Sequence, residues 1–179
     1  MDDQINHVVV LMLENRSFDQ MLGALQGSIP ELDGIDPAKP GTNADAGGRA
    51  YRQQPSESDE VWPDPKHETE NVLKQLAGGN AGFVTDYQAA YPNVDPTAIQ
   101  QVMSYFADGT LFSLHALARS FCVCHRWFSS VPGPTWANRF FVHSGTSKGR
   151  VRMPEGLIDD PRLWLFYDQD TIYDRLNEK

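Results

Sequence analysis

Two short stretches carry the side chains that could do chemistry. The first is Glu14-Asn15, which ends an apolar run at residues 8–13 and sets a carboxylate beside an amide. Both offer hard oxygen donors of the kind a divalent cation takes. The second is Thr135, which follows the turn SSVPGP at residues 129–134 and opens a helical pattern through Trp136, Phe140, Phe141 and Val142. Two prolines and a glycine restrict that turn to few backbone shapes. A threonine there can be an N-cap, its hydroxyl closing the helix start. It can equally be a nucleophile, with the helix amides holding the oxygens of the group it attacks. A free threonine hydroxyl attacks poorly, and a divalent cation would lower its pKa enough to make it competent. The plainer reading of the first stretch is that Glu14 is a satisfied strand-end acid and Ser17 an N-cap. Arg139, one turn after Thr135, could reach a phosphate or pair with an acid such as Asp19.

Positioning these groups requires particular elements. The run VVVLML at residues 8–13 is short and rich in β-branched residues, which reads as a strand of a parallel sheet buried on both faces. A carboxylate at the C-terminal end of such a strand sits where α/β folds place ligands. Residues 26–65 have no periodicity and many turn signals, among them Asp33-Gly34, Pro40-Gly41 and Gly47-Gly48. They read as a long loop with room for a short hairpin, able to wall a substrate pocket. Helices follow at 68–77, stopped by Gly78-Gly79, and at 83–90. A third is capped by Asp95-Pro96 and turns Ile99, Val102, Met103 and Phe106 to one face. A fourth at 111–120 is expected to face Leu114, Leu117 and Ala118 inward, with His115 as a satisfied interior histidine. Residues 121–124 read as a second buried strand, residues 152–156 as a turn, and Thr171 as the N-cap of a last helix.

Composition narrows the classes. With 179 residues, 40% apolar and 11% aromatic, the chain suits one globular domain with a core. Its formal net charge of −9 argues against nonspecific nucleic-acid binding and against a polybasic membrane anchor. No apolar window is long enough to span a bilayer, and the acidic start, Met1-Asp2-Asp3, does not read as a signal peptide. Localisation is left open. Cys122 and Cys124 are too close for an unstrained bridge and read as two reduced, buried thiols. With His125 they form C-x-C-H, but no second ligand pair stands at zinc-site spacing.

The stretches ENRSFDQMLG, SSVPGPTWANR and HSGTS, with DPKHE between them, resemble segments of the bacterial phosphoesterases that include non-haemolytic phospholipase C and a related acid phosphatase. The resemblance implies an α/β fold, an alkaline-phosphatase-like α/β/α sandwich. It also implies a metal-dependent hydrolase acting on phospholipid or soluble phosphate esters. Carried across by position, Thr135 matches the residue that attacks phosphorus, and Glu14 and Asn15 match metal ligands that share a cation with it. His67 matches a histidine that contacts the phosphoryl group. Asn138 and Arg139, on the same helix as Thr135, become candidate substrate-binding residues. His143 could assist a leaving group, although a structural role explains it as well. Related sequences often carry an acid at the position of His125.

The family's remaining metal ligands lie in a later Asp-Glu-His-Gly-Gly-like segment, which this sequence lacks. Three oxygen donors with one negative charge are few for retaining a cation. The expectation is therefore an N-terminal portion, residues 1–179 forming one partial domain that stops inside a periodic helix. Its incomplete sheet should expose an edge that a partner chain could cover. Weak activity alone is expected. The alternatives are a non-catalytic remnant that binds a phosphate ligand or a partner, and a fragment that folds poorly without its C-terminal half.

Overall fold

The computed structural model describes residues 7–56, 58–153 and 169–178. Ser17 opens the first helix, α1 (Phe18–Leu22), by accepting a hydrogen bond from the Gln20 amide at 3.2 Å. A 3-10 turn, Gly23–Gly27, continues it. The long polar segment then forms a small antiparallel hairpin, β1 (Thr42–Ala44) with β2 (Ala50–Arg52), in the register Asn43 opposite Tyr51. Directly after it, β3 (Gln54–Pro55) pairs in parallel with β4 (Ser104–Tyr105).

The helices lie close to where the periodicity places them. α2 (Thr69–Asn80) loses helical geometry at Ala77, Gly78 and Gly79, where both glycines take positive φ that L side chains avoid. α3 is Phe83–Ala90, and α4 (Pro96–Val102) is capped by Asp95, whose carboxylate accepts from the Thr97 amide at 2.7 Å. α5 is Phe112–Ser120 and α6 is Thr135–Ser144. In α7 (Ile172–Asn177), Thr171 and Asp174 exchange bonds as a capping box. The main core joins β2, α3 and α4 through Tyr51, Val84, Tyr87, Ile99 and Met103. A second cluster packs Leu25, Leu32 and Ala118 against Phe18, Leu22 and Val123.

The result is a mixed α/β chain whose described strands form two small two-stranded sheets. Both expected buried strands are absent. Residues 8–13 are extended without pairing, and Val8, Val9, Val10, Leu11 and Leu13 are 78–91% exposed. No described strand lies beside them, and a strand without a ladder partner keeps its backbone on water. Residues 121–124 are likewise unpaired, and Cys122 and Cys124 are exposed thiols, not buried ones. The mainly parallel sheet therefore does not appear among the described residues.

In α5 the inward face is set by His115 and Ala118, while Leu114 and Leu117 are exposed. His115 is fully enclosed: Nδ1 accepts from the Gly109 amide at 2.9 Å and Nε2 lies 2.9 Å from the Met21 carbonyl. Those two bonds turn the helix about its axis, away from the leucine pattern. The turn expected at 152–156 lies partly outside the described residues, as does the acidic start.

Asn43 ties the hairpin to the α2–α3 corner: its Nδ2 donates to the Asn80 carbonyl at 3.1 Å and its Oδ1 accepts from the Phe83 amide at 2.9 Å. Asn43→Ala leaves both backbone groups unpaired, and urea denaturation is expected to record a loss of about 2 kcal/mol. A change below the error of the measurement would show that water replaces both bonds.

Candidate active site

The turn before α6 is held by one side chain. Asn138 Oδ1 accepts from the Val131 amide at 3.1 Å, and its Nδ2 faces the carbonyls of Val131, Gly133 and Pro134 at 3.1, 3.1 and 3.3 Å. Its amide thus braces the turn through these backbone bonds. Pro134 is fully buried beneath. At Gly133, a Cβ would stand 2.7 Å from Thr69 Oγ1 and 3.2 Å from the Val151 carbonyl, so the close approach of α2 requires glycine. Thr69 Oγ1 also donates to the Val151 carbonyl. That packing sets the DPKHE segment, with His67 two residues before Thr69, against the turn that delivers Thr135.

Pro134, not Thr135, is the N-cap of α6, and no side chain caps the helix. Thr135 is instead the first helical residue, and its hydroxyl is released from capping. It donates to Glu14 Oε1 at 3.3 Å. The other oxygen of the same carboxylate accepts from Arg139 Nε at 3.1 Å. The structure therefore brings together Glu14, Thr135 and Arg139 from opposite ends of the chain, and Arg139 takes Glu14 as its acid where Asp19 was the candidate. Asn15 follows Glu14 in an exposed bend and makes no hydrogen bond to the described residues. Thr135 thus stands at the positive end of the α6 dipole.

Glu14, Asn15 and Thr135 carry the donor types a cation's shell needs, and the structure places Glu14 and Thr135 side by side. Their three oxygens are of the hard type, and a 3.3 Å separation suits two ligands of one ion. Arg139 offsets the one carboxylate charge, and no group of three or more His, Cys, Asp or Glu suited to a metal occurs among the described residues.

The remaining candidates make no hydrogen bond to Glu14, Thr135 or Arg139 among the described residues. His67 Nδ1 is covered and without a hydrogen-bond partner, 3.9 Å from Asp64 Oδ2. His143 stacks near Tyr173 with ring centroids 5.5 Å apart. His125 Nδ1 accepts from the Asp33 amide at 2.7 Å, which ties it to the loop and not to the thiols. The long segment at 26–65 does wall a cleft of about 670 Å³, together with Ser17, Asp19 and Phe83. No lysine or arginine lines that cleft among the described residues. The Arg139–Glu14 pairing was half-visible from sequence, because an arginine one turn from Thr135 needs an acid. The Gly133–Thr69 contact carries no sequence signal beyond the glycine itself.

The profile of the phosphoesterase family matches residues 5–179. The chain belongs to that family. Its relatives include non-specific phospholipase C6 of Arabidopsis thaliana, 35% identical over 181 residues, covering 97% of this chain and 33% of that protein. Non-specific phospholipase C3 of the same plant is 32% identical over 189 residues, with 97% and 35% covered. Non-hemolytic phospholipase C of Pseudomonas aeruginosa is 29% identical over 149 residues, with 80% and 20% covered. This phosphoesterase chain thus spans about a third of the length of its plant relatives, and its kin are not bacterial alone. No described helix is long and apolar enough to cross a membrane.

Asp19, in the same motif as Glu14, is set apart electrostatically. Burial raises its carboxyl above the ordinary 3.8, the Gln53 hydrogen bond opposes this, and Asp33 adds to it. A carboxyl raised by folding binds its proton more tightly in the native state. Stability therefore falls as pH climbs from the unfolded value through the raised native one. Asp19→Asn is expected to raise the melting temperature at pH 7, with the advantage vanishing below about pH 3.8. An equal gain at pH 3 and pH 7 would show that packing, not charge, is responsible.

Proposed function

We propose that this chain carries the nucleophile-bearing part of a phosphoric ester hydrolase of phospholipase C or phosphatase type. The observation behind this reading is the single carboxylate that joins the Thr135 hydroxyl to Arg139, in a family whose named relatives are phospholipases C. Thr135 Oγ attacks phosphorus, and the bond to the ester oxygen breaks as the Thr135–phosphorus bond forms. The hydroxyl proton passes to Glu14 Oε1, to which the group already donates, and the departing ester oxygen takes a proton from water. Arg139 and the positive end of α6 hold the phosphoryl oxygens as charge builds on them. His67 contacts the same phosphoryl group. Water then releases phosphate or the phosphorylated headgroup from Thr135. A divalent cation held by Glu14, Asn15 and Thr135 would lower the hydroxyl pKa and offset developing charge.

In this reading the chain is part of an alkaline-phosphatase-like α/β/α sandwich. Residues 8–13, apolar and β-branched yet exposed, are then an inner strand awaiting neighbours. The scarcity of acidic ligands among the described residues favours a second reading for the isolated chain, a remnant that binds a phosphate-bearing ligand without turnover. A partner chain over the exposed edge belongs to the same picture.

The test is hydrolysis of phenyl phosphate and of phosphatidylcholine with added magnesium, calcium or zinc. Thr135→Ala is expected to lower the rate about a thousandfold or more, and chelation to abolish it. Equal rates for wild type and Thr135→Ala would end the proposal. Calorimetric binding of vanadate with no turnover by wild type would assign the chain to the second reading.

A further inference from the structure

The segment that carries His67 is gripped from behind. Tyr87 Oη donates to the Pro63 carbonyl at 2.7 Å, Tyr91 Oη to the Asp64 carbonyl at 2.7 Å, and Gln75 Nε2 to the Lys66 carbonyl at 2.7 Å. Three of the four carbonyls that precede His67 are therefore pinned by side chains of α2 and α3. The grip is itself anchored in the interior. Asp86, 3% exposed on α3, accepts from Gln75 Nε2 at 2.8 Å and from Asn71 Nδ2 at 2.9 Å. Burial pushes the Tyr87 phenol up, with Tyr91 and Asp64 adding to the rise, so it stays a donor.

Such a grip is more than a loop needs to stay folded, and its geometric product is specific. With the backbone at 63, 64 and 66 fixed, the Asp64 carboxylate stands 3.9 Å from His67 Nδ1, three residues on. That nitrogen is covered and has no hydrogen-bond partner among the described residues, while the side chain as a whole is 43% exposed. A covered ring nitrogen without a bond is unfavourable unless something nearby completes it. The carboxylate beyond it is the group placed to do so. Catalytic hydrogen bonds are commonly long in the unliganded state and tighten around the reacting group.

We propose that Asp64 is the positioning carboxylate of His67, and that Tyr87, Tyr91 and the Asp86–Gln75 pair hold the two in register. Asp64 accepts the Nδ1 proton, which fixes the ring tautomer and leaves Nε2 to face the phosphoryl group. The functional half of this inference rests on the reading of His67 given under Proposed function, and the structural half does not. Asp64 touches no substrate. It acts through His67 alone.

The decisive measurement is nitrogen-15 NMR of the histidine rings in the full chain, with His67 assigned by the signal lost in His67→Gln. Wild type is expected to show the Nδ1–H tautomer at His67. Asp64→Ala is expected to shift it to Nε2–H, and Asp64→Asn, which keeps an acceptor, to retain Nδ1–H. The Asp64 side chain is 64% exposed, so truncation leaves the fold standing. Tyr91→Phe, which loosens only the grip, is expected to broaden the His67 signals and leave those of His7 unchanged. In the hydrolysis assay, Asp64→Ala is expected to lower kcat about tenfold to a hundredfold with KM unchanged. An unchanged His67 tautomer in Asp64→Ala overturns the inference. Full turnover by Thr135→Ala would defeat the hydrolase reading, and the tautomer would still decide the Asp64–His67 pair.

Discussion

A half-exposed carboxylate, that of Glu14, is the junction of this structure. One of its oxygens takes the hydroxyl of Thr135 and the other takes the guanidinium of Arg139. Because Thr135 and Arg139 are four apart on one helix, they present donors on one face, one turn from each other. The two partners thus fix the acid in position and in rotation. In return the acid ties the extended N-terminal segment to α6. Exposed ion pairs contribute little to stability by themselves, so the worth of this one lies in geometry. It gathers an acid, a hydroxyl and a cation beside the uncapped start of a helix.

That arrangement depends on supports far less exposed than itself. Asn138 locks the proline-rich turn to the helix it precedes, and Gly133 lets α2 approach the same turn closely. α2 leans on α3 through the buried Asp86, and α3 belongs to the core of Tyr51, Val84, Tyr87, Ile99 and Met103. A chain of direct contacts runs from the largest apolar cluster to Thr135. The acidic cleft beside Asp19 is separate, since neither Glu14, Thr135 nor Arg139 lines it.

Local features were legible in the sequence because local physics decides them. Ser17, Asp95 and Thr171 cap helices as their types suggest, and Gly78-Gly79 breaks α2 where positive φ is needed. The hairpin within 26–65 also follows from turn chemistry. The strand readings at 8–13 and 121–124 did not materialise, because a strand is a relation between two segments. Apolar β-branched residues record a preference for pairing but supply no partner. In α5, Ala118 and His115 lie inward as expected, while Leu114 and Leu117 are exposed, because His115 is enclosed by two hydrogen bonds on the other side of their spacing. At the site, the acid–hydroxyl contact joins positions 121 apart in sequence, and only the motif resemblance pointed to it. Thr135 moved from cap to first helical residue because Pro134 already supplies the extended entry. The bonds of Asn138 to the backbone of 131, 133 and 134 had no signature in the sequence, because they depend on the path of the turn.

The Asn138 brace has a mechanical corollary. Because one amide fastens residues 131, 133 and 134 to α6, the approach to Thr135 is tied to the helix by side-chain as well as backbone bonds. At the far end of α6, His143 rests on Tyr173 of α7. The helix is thus tethered at both ends, by an amide clasp before its first turn and by a ring contact in its last.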